Sequence, residues 1–376
     1  MKQGCSTYLI NDISNTAVSQ DSDNQTAMLS IETQALSPIA VEESKAPSWD
    51  RPWIGPLLKD TLFTVSSGDE STIHQSPNHQ LKTYLLLDAA QVSALEGVFS
   101  LAKAEDLGVL CLLGGEARKD LKDYAPYLIN LTLSQQQLEE GDIPSFHRDV
   151  FIRYWGKHCG IFLHSYADLN TVARHCKKFI KLKDEQDQWF FFRFYDPRVA
   201  QDYFRWMEND GVRIAKWFGI KQGKPLIQSL IFEADAGQSF TRIEAKNYEQ
   251  LNDHSPIGLT KVELGWMQQS RWQRTKKAIY QSLQQELSEE PFLQSKLERQ
   301  LVGGWCEEAL RHDYTTERAI YDYAYSHALA HHFELDLAEV NDYLAAKDDS
   351  DVEKAKELQQ ILLNAINTYR MNQQEE

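Results

Sequence analysis

Arg193, Asp196 and Arg198 fall together in the stretch DQWFFFRFYDPRVAQDYF (187–204), directly behind a run of phenylalanines. Two guanidinium groups around one carboxylate can hold an anion, or can form an ion cluster whose work is structural. Acid–base catalysis asks for more, because the proton-transfer group needs a pKa near the working pH. The motif itself contains neither His nor Cys. It therefore reads as an anion or acid–base site, as a structural corner, or as a surface that another protein grips.

Asp88 is the second chemical candidate, closing the apolar run TYLLLDAA (83–90). An aspartate at the end of a hydrophobic strand suits a phosphotransfer nucleophile, but the second carboxylate wanted two residues later is Ala90. The other job for Asp88 is to cap the helix that follows, with Gln91 in the reciprocal position of a capping box. His327 and His331 have the i, i+4 spacing of a helical zinc pair. The residue after His327, where a metallopeptidase carries its general base, is Ala328, and His332 and Glu334 add no third-ligand pattern. No metal and no other cofactor is expected. The P-loop, the dinucleotide-binding GxGxxG after a strand and the GxSxG nucleophile elbow are all missing.

The 376 residues leave room for two domains of ordinary size. A net charge of -16 argues against nucleic acid as a partner, since phosphate contacts need a basic field. Cys5, Cys111, Cys159, Cys176 and Cys306 are scattered, odd in number and without a CxxC pair, which favours reduced thiols over a disulfide or zinc scaffold. The first residues lack the apolar centre of a signal peptide and no later run is of membrane-spanning length, so a cytoplasmic protein with no membrane partner is expected.

Residues 1–47, rich in Ser, Thr, Asn, Gln and Asp, predict a flexible arm, and SSGDEST predicts a loop. Between 48 and 255 the pattern is α/β. TYLLLDAA is a buried-type strand, the apolar stripe Val92, Leu95, Phe99 and Ala102 a helix, and LGVLCLLGG a second strand, which together predict a βαβ unit on a mixed, partly parallel sheet flanked by helices. APYLINLTL and WGKHCGIFLHS add strands. The helix in DLNTVARHCKKFIKL sets Arg174, Lys177, Lys178 and Lys181 apart from its apolar face, as a solvated side or as a docking strip for an acidic partner. Trp189 to Tyr195 predicts a strand covered on both faces, Asp196 an N-cap and Pro197 the first helical residue, with Gly211 ending that helix. GKPLIQSLIFEADAGQSFTRIEA predicts further strands. From 256 to 376 an all-α lobe is expected, with Thr260–Glu263 and Ser350–Glu353 capping boxes and helices at Pro291 and in TTERAIYDYAYSHALAHHF.

With these residues in view, the chain resembles the adaptor chaperones of type VI secretion effectors, also called TEC or Tap proteins. The matching pieces are YLLLDAA, APYLINL, WGKHCGIFLHS, LNTVARHCKKFIKLKDEQDQWFFFRFYDPRV, then LTKVELGWMQQSRWQ and CEEALRHDYTTERAIYDYAYSHALAHHFELD. The resemblance covers about residues 82 to 215, with FRFYDPRV as its specific signature. It implies a non-enzymatic cytoplasmic chaperone that binds a cognate secreted antibacterial effector and helps to load it onto the VgrG-type spike protein. In that family the α/β and helical lobes together form the effector-binding surface. Arg193, Phe194, Tyr195, Asp196, Pro197 and Arg198 carry over as signature residues, either touching the partner or holding the corner. RHCKKF departs from the usual His-Leu-Arg pattern, and HALAHHFELD places His where Gly is common, departures that bear on partner specificity. The rival reading is an α/β hydrolase or phosphotransferase that uses Asp88 or the Arg193, Asp196 and Arg198 cluster.

Overall fold

A strand whose residues are apolar without alternation must be covered on both faces. The computed structural model, which describes residues 28–37, 52–63, 80–247, 258–287 and 297–375, buries the run before Asp88 in this way. Tyr84, Leu85, Leu86 and Leu87 are each no more than 2% exposed. The strands are β1 (Leu29–Ala35), β2 (Lys82–Asp88), β3 (Val109–Cys111), β4 (Pro126–Asn130), β5 (Gly160–Ser165), β6 (Lys181–Lys183), β7 (Trp189–Phe191), β8 (Ser229–Ala234) and β9 (Ser239–Ala245). Seven form one sheet in the order β1-β9-β8-β5-β2-β4-β3, while β6 and β7 make a separate hairpin.

The fold class is the expected one, an α/β region followed by a helical one, but the strand pairing differs. Every ladder is antiparallel. β2 and β3 do run in one direction, joined through α2, the helix Ala89–Glu96, yet β4 is inserted between them and is antiparallel to both. Local pattern predicts the pieces of a βαβ unit; which strand fills the gap is chosen by tertiary pairing. β5 can approach β2 closely because Gly160 lies opposite Leu87, where a Cβ would run into the Leu86 carbonyl.

The expected irregular arm is also corrected within 28–37. Leu29–Ala35 is an edge strand paired along its length with β9. Its polar composition gives little burial to recognise it by, because ladder hydrogen bonds and cross-strand pairs such as Thr33 with Thr241, 2.9 Å between hydroxyls, hold it. Residues 1–27 and 38–47, the SSGDEST loop and the helix start at Pro291 lie outside the described residues.

Around the sheet lie α1 (Pro56–Phe63), α2, α3 (Ala117–Asp120), α4 (Gln135–Glu140), α5 (Ser145–Asp149), α6 (Leu169–Ile180), α7 (Pro197–Trp206) and α8 (Gly211–Phe218). α6 packs against β3 and β4, and α7 against β8. Buried imidazoles pin these layers. His164 Nε2 donates to the Leu62 carbonyl of α1 at 3.1 Å, and the same carbonyl accepts the Thr83 hydroxyl of β2. His164 Nδ1 is left to accept from Ser229 Oγ of β8 at 2.9 Å. His147 Nε2 donates to Leu131 O at 3.0 Å and His175 Nε2 to Trp217 O at 2.8 Å. A carbonyl only accepts, so each contact fixes the neutral tautomer.

The chain divides into two compact units, Met1–Lys183 with Gln188–Gly258, and Asp184–Asp187 with Leu259–Glu376. The second contains α9 (Lys261–Glu286), α10 (Arg299–Arg311), α11 (Glu317–His332), α12 (Ala338–Ala345) and α13 (Asp351–Glu375). Leu283, Val302, Cys306, Ala309, Tyr323, Leu344, Leu358 and Leu362 are fully buried in its core. Thr260 and Glu263 form the expected capping box, and Ser350 and Glu353 exchange the same bonds at the last helix. Asp351 Oδ2 accepts the amides of Thr315 and Thr316 at 3.1 and 2.8 Å, tying the start of α13 to that of α11.

The buried histidines set a pH dependence. Burial pushes His147, His164 and His175 down to about 4 from an ordinary 6.5. As pH falls the unfolded chain therefore takes up these protons first, so the stability is complete above 6.5 and is lost between 6.5 and about 4. With all of them titrating, the slope approaches about 4 kcal/mol per pH unit near pH 5. Urea-unfolding midpoints should fall steeply below pH 6.5, and a flat midpoint across that window would contradict this assignment.

Candidate functional site

A carboxylate at the end of a buried strand has no water to turn to, so its oxygens must be satisfied within the protein. Asp88 is fully buried. Its Oδ1 accepts the Ala90 amide at 3.0 Å and caps α2. Its Oδ2 accepts from the Arg193 guanidinium in an ion pair that the sequence does not reveal, because the partners stand 105 positions apart. Burial pushes the Asp88 carboxyl above its ordinary range, against the pull of Arg193 and of the Gln91 and Ala90 amides.

Asp196 forms the second pair. It caps α7, with Pro197 in the first turn. Its Oδ1 accepts the Arg198 amide at 3.0 Å and Arg198 Nε at 2.9 Å, and its Oδ2 accepts Arg198 Nη2 at 2.6 Å. Burial alone would raise the Asp196 carboxyl, but the Arg198 guanidinium and amide overcome it and hold the group below the usual carboxylate range. Arg193, Asp196 and Arg198 are thus neighbours with separate duties, since Arg193 turns to the end of β2.

Aromatic packing fixes the chain between the two pairs. The strand expected to reach Tyr195 ends at Phe191, and its faces are not both covered. Trp189 and Phe191 are 56% and 62% exposed, whereas Phe192, Phe194 and Tyr195 are buried. Phe192 N still donates to Ile180 O at 3.0 Å, but Asp196 N bonds Arg193 O at 3.0 Å, and this turn breaks the alternation. Phe192 and Phe194 lie 5.8 and 4.8 Å from the Trp217 ring, which stacks on Phe179 at 3.8 Å. No motif singles out Trp217; its signal is the apolar stripe that it shares with Ile214 and Phe218. Gly211 does not end α7, which stops at Trp206. It opens α8 instead, because Asp210 accepts the Arg213 amide at 3.0 Å and caps the new helix.

Within the signature, Phe194, Tyr195, Asp196 and Pro197 are buried, and the arginines show their outer sides, 43% of the Arg193 and 46% of the Arg198 side chain. Arg174, Lys177, Lys178 and Lys181 are exposed along α6 and its exit into β6, while His175 and Cys176 of the same segment point inward. His327 meets Asn341 Nδ2 at 3.1 Å and stacks on Tyr323. Among the described residues no three His, Cys, Asp or Glu are grouped to hold an ion.

Nucleophiles are similarly occupied. Burial pushes the Cys159, Cys176 and Cys306 thiols up to about 12. His164 and Ser229 form a serine–histidine contact, but both are buried and the other His164 nitrogen rests on a carbonyl instead of a carboxylate. The Asp88 oxygens that a phosphotransferase would need are taken by Ala90 and Arg193. What the corner offers to solvent is guanidinium surface and, beside it on β7, aromatic surface.

Residues 83–213 match a family model described as Domain of unknown function (DUF4123). The match opens inside β2 and closes in the first turn of α8, so it encloses both ion pairs. That family is associated with adaptors of type VI secretion effectors and is an adaptor family, not an enzyme family. No curated protein and no solved structure matches the chain.

Arg193→Ala removes the ion partner of the buried Asp88. Breaking a fully buried pair costs roughly 3–5 kcal/mol. With Arg193 partly solvated and Asp88 free to take a proton, about 2 kcal/mol is expected near neutrality. An unpaired buried carboxyl titrates higher folded than unfolded, so the folded state holds its proton longer and the loss grows as pH rises. Urea unfolding of the variant and its parent at weakly acid and weakly alkaline pH should show the larger gap on the alkaline side. Asp196→Ala should cost about 1 kcal/mol for the lost cap, and more through the abandoned Arg198.

Proposed function

We propose that this protein is an adaptor chaperone of a type VI secretion system. It binds one cognate antibacterial effector in the cytoplasm and promotes its loading onto the VgrG-type spike, without catalysis of its own. The observation that carries this reading is the match over residues 83–213, inside which the two arginines of the FRFYDPR signature are folded as a clamp, Arg193 on Asp88 and Arg198 on Asp196.

A clamp is useful to an adaptor. Binding is weakened by every side chain and loop that must be ordered on association, so a surface fixed in advance binds more tightly for the same contacts. Asp88–Arg193 and Asp196–Arg198 set the direction in which β7 leaves and α7 enters. Phe194, Tyr195 and Pro197 support that turn from below, and the outer sides of Arg193 and Arg198 face solvent, where arginine is a favoured anchor at interfaces. The net charge of -16 keeps such a chaperone soluble.

The test is co-expression with the effector and spike proteins encoded beside it. Stable co-purification with the effector is expected, and deletion of the gene should abolish secretion of that effector alone. If neither neighbour is retained and secretion persists in the deletion strain, the adaptor reading fails. An Asp88→Asn variant that folds like its parent but loses a measurable turnover would favour the hydrolase or phosphotransferase instead.

A further inference from the structure

The hairpin that precedes the signature carries a face the clamp does not use. In the β6–β7 register Lys181 stands opposite Phe191 and Lys183 opposite Trp189. Directly opposed residues share a face, so two lysines and two aromatic rings form one small platform. On the other face Leu182 is buried and Phe190 is half-buried. Lys181 Nζ lies 4.6 Å from the Trp189 ring centre and 6.0 Å from that of Phe191, and Lys183 Nζ lies 5.0 Å from Trp189. The ammonium groups thus sit against ring faces, and Lys181 is exposed to water.

The platform continues onto a helix. Arg174, Lys177 and Lys178 are exposed on α6, at i, i+3 and i, i+4 spacings that lead to Lys181. Among the described residues Arg174, Lys177, Lys178 and Lys181 form no ion pair. Like charges along one helix side repel, and two aromatics more than half exposed on a three-residue strand leave apolar area in water. Both costs are relieved by the same kind of occupant.

We infer that this face docks a short acidic segment with apolar side chains interspersed, supplied by the client protein. The identity of the client rests on the adaptor reading; the chemistry of the segment rests on the platform. Carboxylates meet Lys177, Lys178 and Lys181, and apolar side chains lie on Trp189 and Phe191. The segment must be short because the rest of the chain is strongly acidic. A nucleic acid or an anionic bilayer would extend past the basic strip and meet repulsive charge well within the screening length of about 8 Å.

The probe is a fluorescein-labelled peptide of glutamates with two leucines and a phenylalanine, titrated into the full chain. Controls are the same peptide with lysines for glutamates, a single-stranded oligonucleotide, and vesicles containing phosphatidylglycerol. The acidic peptide should bind, with affinity falling about tenfold on raising salt from about 50 to about 300 mM. The double variants Lys177→Glu with Lys178→Glu, and Trp189→Ser with Phe191→Ser, should each weaken it about tenfold while melting like the parent, because the altered side chains are exposed. Absence of peptide binding, variants that bind like the parent, or tighter binding of the oligonucleotide or the vesicles would overturn the inference. A client retained equally by the parent and both variants would sink this surface and leave the adaptor reading standing. Selective binding of the peptide with no client captured would do the reverse.

Discussion

The architecture around the signature depends on one buried charge. Asp88 stands at the end of the interior strand β2 with no exposure to solvent, and an ionised carboxylate there is tolerated only if every lone pair is used. One oxygen closes the first turn of α2 and the other receives Arg193. The bonds therefore join a strand, the helix that leaves it and a turn formed much later in the chain. A hydrophobic contact at the same place would stabilise the packing but would not dictate direction, since dispersion and apolar burial carry no orientation.

The rest of this region follows from that placement. Once Arg193 points at β2, Phe192 and Phe194 on either side of it must face the interior, and they meet Trp217 and, through it, Phe179 of α6. Asp196 then starts α7, and its pairing with Arg198 uses the remaining carboxylate. A motif that looks chemically active in one dimension becomes, in three, a set of already satisfied charges. Its reachable parts are the backs of two guanidinium groups and the aromatic face of the adjoining hairpin. That division suits a protein that presents a shaped surface to another.

The sheet shows the same dependence on partners distant in sequence. β2 and β3 are parallel neighbours in the chain but not in space, because β4 is seated between them. β1 joins at the edge from a segment whose composition has no strand signature beyond a few β-branched residues. Thr83 and His164, which pin α1 to β2 and β5 through the Leu62 carbonyl, are isolated letters in sequence, and they act together only because three elements converge there.

Much of the fold was legible without coordinates. Helix caps at Asp88, Asp196, Thr260 and Ser350 announced themselves because capping needs a short polar side chain at a fixed offset from the backbone amides it serves. The unbroken apolar run of β2 likewise implied a strand covered on both sides, since burial acts residue by residue. Gly211 is ambiguous in sequence because glycine ends one helix or begins another according to its neighbours, and here the Asp210 cap makes it the start of α8. What only the tertiary structure decided was pairing: that Arg193 belongs to Asp88 and not to Asp196, that β4 separates β2 from β3, and that Trp189 and Phe191 remain in the open. Caps and strand runs are local interactions whose geometry travels with the sequence. An ion pair, a sheet order or an exposed face depends on which distant segment arrives to fill the space, and no spacing along the chain encodes that.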